Sequence, residues 1–60
     1  MKFENMGPAD LMKFATETIY FAKPETVRAA LAYVDSLGEG EKPGFVNQVR
    51  RVAAERGITA

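Results

Sequence analysis

The chain has 60 residues, a formal net charge of zero, 47% apolar residues, and neither cysteine nor histidine. That length allows one domain, residues 1–60, which hides only about 60% of the surface its unfolded form exposes. Without Cys or His there is no disulfide, no ordinary structural zinc site, no thiol nucleophile and no histidine-based triad, so stability has to come from helix packing, self-association or a partner.

The apolar share is too high for a disordered chain. No run approaches the roughly 18 apolar residues of a membrane span. Residues 1–7 carry Lys2 and Glu4 and lack the apolar centre of a secretion signal. The expectation is a cytoplasmic protein with no membrane contact and no cofactor. Charge is unevenly spread. Residues 1–41 hold seven acids against four bases, a balance of −3; residues 42–60 hold four bases against Glu55, a balance of +3.

Residues 1–7 form a short lead. Its Phe3 and Met6 either fold back on the body or belong to a frayed terminus. Pro8, Pro24 and Pro43 then each open a stretch of helical periodicity, as proline does at a first helical position. The first helix is expected over about 8–22, with Gly7 before it and Asp10 in its first turn. At 100° per residue, Leu11, Met12, Phe14, Ala15, Thr18, Ile19, Phe21 and Ala22 fill half the circumference. That exceeds the stripe of roughly 100° on an ordinary surface helix. Such an arc either meets two neighbours in a bundle or offers part of itself to another chain.

Pro24 disfavours helix at Lys23, so a turn is expected there, with a second helix over about 24–37. Val27, Ala30, Leu31, Val34 and Leu37 share one face, and Gly38 is placed to end the helix in a left-handed conformation. Residues 38–42 read as a solvated loop. The third helix is expected over about 43–56. Phe45, Val49, Val52 and Ala53 form its apolar face, and Asn47, Arg50, Arg51 and Ala54 lie opposite. Gly57 and Ile58 suit a Schellman ending, in which a left-handed Gly reverses the chain and the next apolar residue packs back on the helix.

These elements predict an all-α protein, a small three-helix bundle. Its expected core is Leu11, Phe14, Ala15, Phe21, Val27, Leu31, Val34, Leu37, Phe45, Val49 and Val52.

Catalytic signals are absent. Ser36 has no base nearby, and the acids sit in caps, loops and polar faces where nothing raises a pKa. The segment from Asp35 to Val46 matches a calcium loop at its first, fifth and sixth positions. It fails at the third and twelfth, Leu37 and Val46, and contains Pro43. The chain therefore reads as non-enzymatic.

Three functions suit what is left. The first is a protein-interaction module that self-associates as a homodimer or binds and modulates a larger protein, through Phe3, Met6, Met12, Ile19 and Tyr20. Methionine and aromatic residues are common at such surfaces. The second is a DNA-binding regulator that uses Asn47, Arg50 and Arg51 of the third helix. The Arg56–Thr59 ending resembles the turn after the first helix of a helix–turn–helix, but the recognition helix would have to follow Ala60. The alternative pairing, second helix with third, has a loop longer than the usual 3–4 residues, with Glu39 and Glu41 in it. The third is a small inhibitor of a large enzyme or nucleoprotein. Mimicry of nucleic acid would call for an acidic chain, and this one is neutral.

Overall fold

Proline at the first helical position sets the start of every α-helix in this chain. A computed structural model describes residues 3–38 and 40–59. After a 3₁₀ turn at Phe3–Asn5 come α1 (Pro8–Thr16), a second 3₁₀ turn at Thr18–Tyr20, α2 (Pro24–Ser36) and α3 (Pro43–Glu55). There is no strand among the described residues. The chain is a small all-α three-helix bundle.

α3 organises the packing. It lies against both α1 and α2 and against the Thr18–Tyr20 turn, while the Phe3 turn packs on α2. Its buried face is Phe45, Val49, Val52 and Ala53, as the periodicity predicts. Leu11, Phe14 and Ala15 come in from α1, and Val27, Ala30 and Val34 from α2. No polar or charged residue is buried among the described residues.

The lead closes the core. Phe3 is only 2% exposed. Its ring meets Phe14 edge-on at a centroid distance of 4.9 Å and stacks on Tyr33 at 6.0 Å; Tyr33 in turn meets Phe45 at 6.0 Å. This run of four rings links the lead to all three helices. Offset and edge-on aromatic pairs add about 0.5–1.5 kcal/mol beyond the area they bury. Met1 and Lys2 lie outside the described residues.

The first helix is shorter than its pattern. It ends at Thr16, and the expected continuation to Ala22 is corrected by a change of geometry at Glu17 (φ −128°, ψ −66°). The sequence here is Thr16-Glu17-Thr18-Ile19, three of whose four residues are β-branched and lose rotamer freedom in a helix. The Thr16 hydroxyl also donates to the Met12 carbonyl at 2.8 Å, a back-bond that bends helices. Beyond Glu17 the chain tightens, and the Phe21 and Ala22 N–H groups both donate to the Thr18 carbonyl. The phase of the apolar arc is thereby lost. Ile19 and Ala22 turn inward, and Phe21, expected in the core, is 76% exposed.

Two further expectations change. Leu31 and Leu37 pack against the core without being part of it, and the buried face of α2 is Val27, Ala30 and Val34. Gly38 is not left-handed; α2 ends through an extended Leu37 (φ −77°, ψ 145°), and the left-handed glycines are Gly40 and Gly57. At Gly57 the Schellman ending forms as expected. The Ile58 N–H reaches the Ala53 carbonyl at 2.9 Å, the Gly57 N–H reaches Ala54 at 3.1 Å, and Gly57 has φ 72°. Gly57→Ala is expected to destabilise by about 1–2 kcal/mol, the cost of a Cβ in that conformation. Gly44→Ala, inside α3 where an added Cβ meets nothing within 4 Å, is expected to stabilise by up to about 1 kcal/mol. Paired thermal melts should shift in opposite directions.

Candidate interaction surface

The break after α1 places two aromatic residues at an exposed corner. Tyr20 is 47% exposed and Phe21 76%. The corner is held from α3. Arg56 Nη1 donates to the Ile19 carbonyl at 2.7 Å in a partly buried contact, fixing the backbone just before the pair. The Tyr20 hydroxyl accepts from Gln48 Nε2 at 3.3 Å and, more weakly, from Arg51 Nη2 at 3.5 Å. Arg51 also donates to Gln48 Oε1 at 2.7 Å and to Glu55 Oε2 at 3.1 Å. Its pKa is raised above the ordinary arginine value, chiefly by the bond to Tyr20 and to a smaller extent by the Glu55 carboxylate. Tyr20 is thus braced at its hydroxyl, and Phe21 projects beside it with most of its ring in water.

A second apolar feature lies where α1 and α3 begin. Pro8, Leu11, Met12, Lys42, Gly44 and Phe45 line an open groove of about 180 Å³. Met12, 40% exposed, joins Tyr20 and Phe21 as the large apolar residues at the surface among the described residues.

The residues expected at an interface do not form one surface. Phe3 and Ile19 are core residues, and that expectation is corrected: each offers nothing to a partner while the bundle is folded. Burial of Phe3 follows from its ring contacts, and burial of Ile19 from the phase change at Glu17. Met6 is half-buried and lines a shallow depression with Asp10, Lys13, Phe14 and Thr18. Met12 and Tyr20 are at the surface. Periodicity alone places Phe21 in the core. The β-branched run before it was the available signal.

Asn47, Arg50 and Arg51 all lie on the exposed side of α3. Arg50 is 3.5 Å from Asp35 of α2, and Arg51 is 3.1 Å from Glu55. Both pairs are exposed and contribute little to stability. They do place an acid beside each guanidinium. Asn47 and Arg50 also border an open depression of about 310 Å³ with Val34, Leu37, Glu41 and Val46.

Among the described residues no three acids converge as a metal site would require. None of the described helices is long and apolar enough to cross a membrane. Compared with known proteins, the chain matches no family model, no curated protein and no solved structure.

Proposed function

We propose that this chain works by protein contact: it is a small non-enzymatic helical module whose Tyr20–Phe21 corner anchors another protein surface, in the first instance a second copy. The observation that carries the reading is the exposure of Phe21. Fully burying a phenylalanine side chain contributes roughly 1.5–3 kcal/mol. Here that free energy stays unused in the isolated chain, beside a tyrosine already fixed in place. Tyrosine and arginine are the residue types enriched at the energetic centres of interfaces. Bracing by Arg51, Gln48 and Arg56 lowers the ordering cost of binding. A cytoplasmic setting belongs to the same reading, since a core without cysteine has no need of an oxidising compartment.

The DNA-reading alternative has less support. Arg50 and Arg51 would have to exchange Asp35 and Glu55 for phosphates, and those acids would then stand near the DNA backbone.

The test is the solution mass by light scattering across a wide concentration range, for the parent and for Phe21→Glu. For protein never exposed to denaturant, the expected result is a parent that approaches twice 6.6 kDa at high concentration and a folded variant that stays at the monomer mass. The monomer mass for both proteins throughout would exclude self-association and leave a different protein as the partner, and the same dimer mass for both would remove the corner as the contact between copies. A variant that unfolds would make Phe21 structural and remove the corner as an anchor.

A further inference from the structure

The connection between α2 and α3 is strained at one residue. Lys42 is the only non-glycine among the described residues with positive φ (φ 47°, ψ 51°). It also precedes Pro43, whose ring pushes the preceding residue towards extended backbone. Gly7 (φ −73°, ψ 167°) and Lys23 (φ −64°, ψ 149°), which precede the other two prolines, are extended as that rule requires. Lys42 is therefore disfavoured twice, by its own Cβ and by the proline after it.

Among the described residues of the loop, the Glu41 N–H donates to the Gly38 carbonyl at 3.1 Å and the Gly38 N–H to Glu41 Oε2 at 3.3 Å, the latter exposed, while the Lys42 carbonyl accepts the first bond of α3 from the Val46 N–H at 3.0 Å. What holds Lys42 in place is the docking of α3, whose Phe45, Val49 and Val52 are buried in the core. The strain thus sits in the hinge, while the attraction sits in a face that any copy of the chain can supply.

We infer that this protein forms a dimer by exchanging α3. Opening at the hinge lets Lys42 adopt the extended conformation that Pro43 favours. Each α3 then docks on α1 and α2 of a second copy. The core contacts, the Arg50–Asp35 pair and the Arg56 bond to Ile19 are remade between chains. Short strained hinges are a recognised route to such exchange. Fusion of α2 and α3 into one helix is opposed by Gly38, Gly40 and Pro43, so the open hinge is extended. This dimer is independent of the Tyr20–Phe21 corner.

The experiment refolds the parent, Lys42→Gly and Lys42→Val from denaturant at high protein concentration and separates the products by size. The parent should yield a dimer that persists on dilution, because release requires the core to open. Lys42→Gly relieves the closed hinge and should lower the dimerisation constant by about tenfold per hinge, or about a hundredfold for two hinges. Lys42→Val, which disfavours the left-handed conformation more strongly, should raise it. Connectivity is read from Asp35→Cys combined with Arg50→Cys, at two exposed sites on α2 and α3, treated with a short bis-maleimide. The dimer should give links between chains and the monomer links within one. Links confined within chains of the dimer would overturn the exchange. So would a dimer unchanged by Lys42→Gly, or the absence of dimer from both the parent and Lys42→Val. Phe21→Glu should leave the exchanged dimer intact, which separates its failure from failure of the corner.

Discussion

Phe3→Ala is expected to leave the chain largely unfolded at physiological temperature. Removing a buried phenylalanine typically costs about 3–5 kcal/mol. A core of this size rarely supplies more than about 3–5 kcal/mol in total without disulfides or a metal. The position aggravates the loss. Phe3 touches the rings of Phe14 and Tyr33 and is almost wholly enclosed, so its removal opens the bundle to water at the lead and interrupts the run of rings to Phe45. For a domain near 60 residues each 1 kcal/mol moves the melting temperature by roughly 4–8 °C. A thermal melt followed by circular dichroism decides it. A Phe3→Ala midpoint within a few degrees of the parent would show that the lead is dispensable. Glu4→Ala, one residue on and exposed, should melt like the parent.

The second large effect is an inversion between neighbours. Ile19→Ala should destabilise by about 2–5 kcal/mol, whereas Phe21→Ala, with the bigger side chain, should stay within about 0.5 kcal/mol. The reason is geometric. Ile19 is fully enclosed, with its carbonyl held by the Arg56 guanidinium, and Phe21 stands in solvent two residues later. Urea midpoints at unchanged slope would measure both. Equal losses at the two positions would mean that α1 continues past Thr16 and that Phe21 faces the core. The aromatic corner would then not exist, and the proposed anchor would go with it.

Much of the bundle is legible in the sequence because its punctuation is local. Proline restricts its own φ and the residue before it, so Pro8, Pro24 and Pro43 mark three helix starts without reference to the rest of the chain. Gly57 and Ile58 mark an ending for the same reason. The buried face of α3 follows directly from its spacing, since a regular helix keeps one phase from end to end. The candidate surface was harder to read. The apolar arc and the Met and aromatic content of the first third point equally to Met12 and Tyr20, which are exposed, and to Phe3 and Ile19, which are buried.

Other features depend on phase and on distant contacts, which local signals do not carry. One non-helical residue, Glu17, rotates everything after it, exchanging Phe21 for Ile19 and Ala22 in the core. The packing of α2 in the bundle sets Ala30 inside and leaves Leu31 and Leu37 at the margin. The burial of Phe3 depends on rings contributed by residues 14 and 33. The strain at Lys42 arises because the same loop must end one helix and dock the next. Helix starts are written locally in the chain, because those signals act over one or two residues. Which side chains meet water was decided by packing, because that depends on residues far apart in the chain.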